Sequence, residues 1–234
     1  MVVEVVAGAL CGAAGLMTYG VRGRSSSLLA PSVWRGVRSR SSVALTFDDG
    51  PSESTPELLE ILERHHVRAT FFQCGANVRR LPGVAAAVAA AGHEIGNHSD
   101  SHPRFDFCSP DFILGELARA QQTIEEVTGT RPVYFRPPYG VRWFGLRGAQ
   151  RQLGLVGVMW TRLGRDWRWP SDRIARRLEH GVPNGAILLL HDGRRVHPHP
   201  DIRPTLDAVR RIIPWYLERG YQFETVSEIL CPTT

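Results

Sequence analysis

Two carboxylates, Asp48 and Asp49, stand side by side where the apolar run Val43-Ala44-Leu45-Thr46-Phe47 stops and a Gly50-Pro51 turn begins. Like charges at the end of a buried strand repel, so the arrangement is costly unless a cation, a shared proton or a proton-abstracting role offsets it. Further along, His98 and His102 are four residues apart, a spacing at which two imidazoles can bind one divalent ion. One carboxylate added to that pair makes a two-histidine, one-aspartate set that leaves positions for water and substrate. Such an ion lowers the pKa of its water and polarises a carbonyl, and the second carboxylate, off the metal, is free to take the proton. Hydrolysis of an amide or ester also needs a proton donor for the leaving group. His191, at the end of the apolar strand Gly185–Leu190, suits that role, with Asp166 able to hold its other ring nitrogen. Arg136 is a candidate brace for the base carboxylate, with a structural arginine packed on Tyr139 as the plainer reading.

These groups are useful together only if the chain gathers them. Short apolar strands alternate with helical patterns: strands near 43–47, 69–73, 93–96, 132–135, 156–160, 185–190 and 223–226, with helices near 55–64, 82–91, 109–129, 144–153, 171–180 and 202–219. That alternation predicts an α/β fold with a parallel sheet covered by helices. Asp48 and Asp49 follow the first strand, His98 and His102 the third, Arg136 the fourth, Asp166 the fifth and His191 the sixth. All sit just past a strand's C-terminal end. In a parallel barrel that end is one face where loops converge on a pocket, whereas in an open sheet the groups would spread along a line. Convergence favours a barrel, and seven strands make it an incomplete one.

Length and composition agree with one soluble-type catalytic domain: 234 residues, 43% hydrophobic and 22% charged. All 28 basic residues are arginine, which excludes lysine Schiff-base chemistry, and they are spread along the chain, so no clustered nucleic-acid footprint is present. The four cysteines form no Cys-x-x-Cys pair and are expected as reduced thiols. Residues 1–21 form an apolar N-terminal segment whose uncharged run, Val5–Val21, is preceded by Glu4 where a secretory signal would carry positive charge. The segment reads either as a membrane anchor, associating through residues 5–21 at the short end of a membrane span, or as a trimmed signal; residues 22–41, rich in Ser and Arg, read as a linker, and 42–231 as the catalytic domain.

The stretches Thr46-Phe47-Asp48-Asp49-Gly50-Pro51-Ser52, His98-Ser99-Asp100-Ser101-His102, Arg136-Pro137-Pro138-Tyr139, Asp166-Trp167 and Leu189-Leu190-His191 together resemble, in order, the five motifs of the polysaccharide deacetylases, carbohydrate esterase family four. The resemblance implies a distorted, incomplete (β/α)7 barrel and metal-dependent removal of N-acetyl groups from an amino-sugar polymer or glycoconjugate in the cell envelope. It implies Asp48 as catalytic base; Asp49, His98 and His102 as ligands of one divalent metal, zinc first, with cobalt, nickel or manganese as alternatives; and Arg136 as the holder of the base. It further implies the Tyr139 backbone amide at the oxyanion, Asp166 tuning the general acid His191, and Trp167 and Leu189 walling the acetyl methyl. The expected partner is a carbohydrate, and the expected state a monomer. Two departures bear on substrate choice: Leu163-Gly164 stand where many relatives carry a further Asp, and the tract 141–145 lies outside the general pattern.

Two alternatives keep distinct signatures. The same apparatus could act on a formyl group of a lipid-linked sugar or on an O-acetyl ester; a non-catalytic sugar-binding domain would have lost the base or a ligand, and here all are present. His65 and His66 read as helix-end residues, His197-Pro198-His199-Pro200 as an exposed loop, and Trp34, Trp143, Trp169 and Trp215 as packing residues.

Overall fold

The computed structural model describes residues 2–231; the side chains of residues 2–9, part of the expected apolar segment, lie outside the described residues, as does Met1. The strands are β1 (Ser32–Val33), β2 (Ser42–Asp48), β3 (Thr70–Gln73), β4 (Glu94–Asn97), β5 (Tyr134–Phe135), β6 (Val156–Val158), β7 (Arg162–Leu163), β8 (Ala186–His191) and β9 (Gln222–Phe223). The helices are α1 (Val2–Arg22), α2 (Thr55–Arg64), α3 (Gly75–Arg80), α4 (Pro82–Ala90), α5 (Pro110–Thr128), α6 (Leu146–Leu153), α7 (Ser171–Glu179), α8 (Arg203–Leu217) and α9 (Val226–Leu230).

β2 lies at the centre. It pairs in parallel with β8 over Val43–Asp48, with β3 over its second half and with β9 at its start. The sheet runs β1-β6-β5-β4-β3-β2-β8-β7 with every ladder parallel, so all C-terminal ends share one rim. Its two ends approach through an isolated Arg35–Ala186 bridge and a Thr161 hydroxyl bond to the Trp34 carbonyl at 2.8 Å, without a further full ladder. The curled sheet is therefore a barrel that stops short of closure, as expected, but built among the described residues from nine strands, not seven.

The period of two along a strand decides which side chains reach the interior. In β2, Val43, Leu45 and Phe47 pack outward into the main core with Leu58, Ile61 and Leu62 of α2 and Leu206, Val209 and Ile213 of α8. Each such side chain, fully buried, contributes roughly 1.5–3 kcal/mol. The alternate row, Ala44, Thr46 and Asp48, turns to the barrel interior. Ala44 meets Phe72, Val158 and Ile187 there. The same alternation in β8 sends Leu188 and Leu190 outward and leaves Ile187, Leu189 and His191 on the inner row.

Helix ends follow their chemistry. Ser109 Oγ accepts from the Phe112 amide at 3.2 Å to start α5, and Gly129 ends it at φ +70°, where glycine carries no Cβ penalty. Thr225 and Glu228 form a reciprocal capping box on α9, so the strand expected over 223–226 stops at Phe223 and turns helical. All four cysteines are free thiols.

The stretch 22–41 departs from the linker reading. It supplies β1, which pairs with β6, and its backbone is tied to the domain by side-chain donors, Arg142 and Gln150 buried and Arg147 exposed. Arg142, fully buried, donates Nη1 to the Ser26 carbonyl at 2.6 Å and Nη2 to the Gly23 carbonyl, while its own amide donates to the Val21 carbonyl at 3.0 Å. Gln150 donates to the Pro31 carbonyl at 2.9 Å and Arg147 to the Ser27 carbonyl at 2.7 Å. A guanidinium at the C-terminal end of α1 also suits the negative end of the helix dipole. Ser- and Arg-rich composition reads as solvated chain unless the donors that bind its carbonyls are known, and those lie over a hundred residues away. Along α1, Leu10, Leu16, Met17 and Tyr19 are exposed, and among the described residues no helix is long and apolar enough to cross a membrane.

Replacing Arg142 with Leu leaves the Ser26 carbonyl without its donor, at about 1–3 kcal/mol, and takes from the Gly23 carbonyl one of its two donors, the Ser26 amide remaining. The expected result is a fall in the urea midpoint with early proteolytic cleavage confined to residues 20–32; an unchanged midpoint and cleavage pattern would return this segment to linker status.

Candidate active site

Asp48 reaches the rim as the last inward residue of β2, and Arg136, one residue past β5, meets it from behind. Arg136 Nη1 donates to Asp48 Oδ1 at 2.6 Å and to Thr46 Oγ1 at 2.9 Å. Its Nε and Nη2 donate to the Val158 and Met159 carbonyls, each at 3.1 Å, and its guanidinium lies 4.2 Å from the Phe72 ring centroid. A fully buried guanidinium is tolerated because every nitrogen has an acceptor and one acceptor is charged. The Phe72 ring in turn has room because residue 96 is glycine, where a Cβ would overlap it.

Asp49 turns away from Asp48. Its φ of +73° breaks the strand and swings its carboxylate over the rim, where the Arg195 amide donates to Oδ2 at 2.7 Å and Asn77 Nδ2 donates to its carbonyl at 2.7 Å. Oδ1 is buried with no hydrogen-bond partner and lies 3.3 Å from His98 Nε2 and 3.0 Å from His102 Nε2. The His98 ring is oriented by its other nitrogen, 2.8 Å from the Arg136 carbonyl; that bond requires a proton on Nδ1 and leaves Nε2 with a lone pair. His102 enters at φ +59° from the loop after β4, with its amide donating to Ser99 Oγ at 3.2 Å. Asp48 Oδ2 lies 3.7 Å from His98 Nε2, further off than Asp49 Oδ1.

These three side chains fit a divalent cation. Their ligand atoms all lie within 4.8 Å of one another. Two atoms each about 2.1 Å from a common ion are separated by about 3.0–3.4 Å, and the observed 3.0 and 3.3 Å fall in that span. The protonation states agree: burial pushes Asp49 up, but the His102 and His98 imidazoles hold it well below the usual carboxylate range. Burial keeps His102 below its ordinary value, so it is the neutral, ligating form.

Across the cavity, His191 ends β8. Its Nδ1 is 2.8 Å from Asp166 Oδ1, and its amide donates to Asp166 Oδ2 at 2.8 Å. Asp166 also accepts from Thr205 Oγ1 at 2.7 Å, so both oxygens are engaged. Burial works against a charged imidazole, but the Asp166 carboxylate beside it more than offsets this and raises His191 to about 9. Trp167 stands edge-on to the ring at 5.2 Å. The resulting cavity, about 580 Å³, is lined by Asp48, Asp49, His98, His102, Tyr139, Trp167, Leu189 and His191, with Arg136 and Asp166 directly behind it. Tyr139 takes φ +58°, a strained value for a tyrosine, and its ring edge packs on His102 at 4.7 Å. All ten residues singled out from the sequence thus meet at one rim.

Outside the five motifs, Arg22, Gly140, Trp160, Leu163, Arg194, Arg195 and His197 line the same cavity, so the loop 197–200, expected only as exposed, reaches the site through His197, and buried Asp192 lies beneath it. Trp160 is legible in principle, since it continues the inward row of Val158. Asp192 accepts from Thr55 Oγ1 at 2.7 Å and lies against Gly50, where a Cβ would overlap its carboxylate. Burial, helped by the charge of Asp49, raises it to about 7 although the Thr55 bond works the other way. It braces the turn that carries Asp49. Trp143, Trp169 and Trp215 are engaged elsewhere, with Phe144, Arg173 and Arg219 respectively.

Comparison with known proteins agrees with this geometry. Residues 35–158 match the family model for polysaccharide deacetylase. A chitooligosaccharide deacetylase of Bradyrhizobium is 34% identical over 200 residues, covering 80% of this chain and 90% of that protein. The peptidoglycan-N-acetylglucosamine deacetylase PgdA of Listeria monocytogenes is 32% identical over 87% of this chain, which spans only 42% of that longer protein. The crystal structure of the Bc1960 peptidoglycan N-acetylglucosamine deacetylase superposes with a TM-score of 0.79 at 32% identity, covering 84% of this chain and 91% of that one. With the sheet, the motifs and these relatives in agreement, the chain belongs to the polysaccharide deacetylase family, carbohydrate esterase family four.

Proposed function

We propose that this protein removes N-acetyl groups from an amino-sugar polymer or glycoconjugate of the cell envelope, of the peptidoglycan or chitin type, with one divalent metal, zinc first, held by Asp49, His98 and His102. The observation that carries the reading is Asp49 Oδ1, a buried carboxylate oxygen without a hydrogen-bond partner that faces two imidazole nitrogens. A cation there supplies positive charge that acidifies a water and polarises the acyl carbonyl.

The chain's own groups do the rest. Asp48, with Oδ1 engaged by Arg136, keeps Oδ2 toward the cavity and takes the proton of the attacking water. Arg136 fixes the direction of that carboxylate through the 2.6 Å bond to Oδ1. His191, with Nδ1 bonded to Asp166, presents its other nitrogen to the leaving amine and donates the proton the amine needs to depart. The Tyr139 amide stabilises the oxyanion, and Leu189 and Trp167 confine the acetyl methyl. The exposed apolar residues of α1, followed by Arg22 and Arg24, support membrane association of residues 5–21.

Purified protein supplied with a divalent metal is expected to release acetate from N-acetylglucosamine oligomers. Asp48→Asn should lower kcat by about two to four orders of magnitude while metal content stays at one per chain; near-normal turnover would remove Asp48 from the base role. His102→Ala should instead lower metal content as well as activity, read by elemental analysis, and full retention of the ion would disqualify that ligand.

The acid form of His191 predominates below about 9, so turnover should fall as pH rises through that value. Asp166→Asn removes the charge that raises it, and the alkaline limb should move to lower pH. A limb that stays in position in the variant would assign it to another group.

A further inference from the structure

The cavity is lined by three arginines from two separate parts of the chain. Arg22 is the last residue of α1, and Arg194 and Arg195 follow β8. The carboxylates around them are already committed: Asp48 to Arg136 at 2.6 Å, Asp166 to His191 at 2.8 Å, and Asp106 to Arg104. Among the described residues Arg22, Arg194 and Arg195 therefore have no ion-pair partner. Each is nonetheless held at the rim by its backbone or by a neutral acceptor. Arg195 is bound through its amide to Asp49 Oδ2 and through its carbonyl to Asn77, and its guanidinium lies 5.5 Å from the Tyr139 ring centroid. Arg194 donates to the Gly193 carbonyl at 2.8 Å and the Asp166 carbonyl at 3.1 Å. Arg22 is fixed by its neighbours, because buried Arg142 clamps the Val21, Gly23 and Ser26 carbonyls on either side of it. The tract 141–145, which departs from the general family pattern, is thus the socket that brings the N-terminal segment, and Arg22 with it, to the cavity.

Three like charges around one opening repel one another and focus a positive potential into it. A neutral sugar chain makes no use of that charge, whereas an anionic substituent relieves the repulsion and accepts forked, charge-assisted bonds. We propose that the rim formed by Arg22, Arg194 and Arg195 selects an acylated amino sugar carrying a carboxylate or phosphate group close to the acyl group, and that Arg22 makes the N-terminal segment part of the substrate site. This deepens the deacetylase reading and rests on it.

The test compares the metal-loaded, full-length enzyme on three substrates of matched length: a neutral N-acetylglucosamine oligomer, one bearing carboxylate ethers on alternate sugars, and N-acetylglucosamine joined to a phosphodiester. At low ionic strength kcat/KM for at least one charged substrate should exceed the neutral value by about tenfold, and the advantage should shrink as salt is added. Arg22→Gln, an exposed position, and Arg195→Gln should each lower the charged-to-neutral ratio about three- to tenfold. Preference for the carboxylate or for the phosphate identifies the source of the anion, and either supports the proposal. Equal or better turnover of the neutral oligomer, or a ratio that neither variant moves, overturns it. Absence of acetate from all three substrates would instead defeat the deacetylase reading beneath it.

Discussion

Two adjacent carboxylates at the end of one buried strand cannot share an environment, and the molecule resolves this by giving each its own counter-charge. Asp48 stays in the strand register and receives Arg136 from behind, a guanidinium whose every nitrogen is engaged. Asp49 leaves the register at φ +73° and faces His98 and His102. The separation is geometric before it is electrostatic, because successive residues of a strand point to opposite faces. One carboxylate is thereby braced by a guanidinium, and the other is left facing two imidazoles. Without the turn at Asp49 its carboxylate would point to the outer face, away from His98 and His102.

That division requires a fold in which distant segments meet at a single edge. All the ladders are parallel, so β2, β4, β5 and β8 end on the same rim, and the curl of the sheet converts a line of strand ends into a ring. The inward rows carry the site outward from the barrel interior: Ala44, Thr46 and Asp48 along β2, and Ile187, Leu189 and His191 along β8. Thr46 joins the two rows, donating to the Leu188 carbonyl and accepting from Arg136. Core packing and site geometry therefore use the same strands on alternating residues, and a register slip would exchange one for the other.

Much of this is legible in the amino-acid sequence. The long apolar strands announce themselves by runs that stop at charged residues, and the candidate residues lie just beyond them, so the sheet, the shared rim and the gathering of the ten candidates around one cavity follow from periodicity together with the family resemblance. What stays hidden does so for physical reasons. β1 and β7 are two residues long, too short to show a period, and are defined by partners far away in sequence. The segment 22–41 has the composition of solvated chain and is ordered by Arg142, a residue type that is seldom buried. Asp192 is indistinguishable from a turn aspartate until Thr55 and Gly50 are seen against it. Arg22, Arg194 and Arg195 belong to a scattered arginine population, and only the fold brings them to one opening.

On this reading one carboxylate and two imidazoles hold an ion while the neighbouring carboxylate stays off it. Anomalous diffraction at the zinc edge, from crystals grown with zinc, tests this directly. A single peak within about 2.2 Å of Asp49 Oδ, His98 Nε2 and His102 Nε2, with both Asp48 oxygens beyond bonding distance, is the predicted result. A peak bonded to Asp48, or one that leaves Asp49 or either imidazole unbound, would contradict the account.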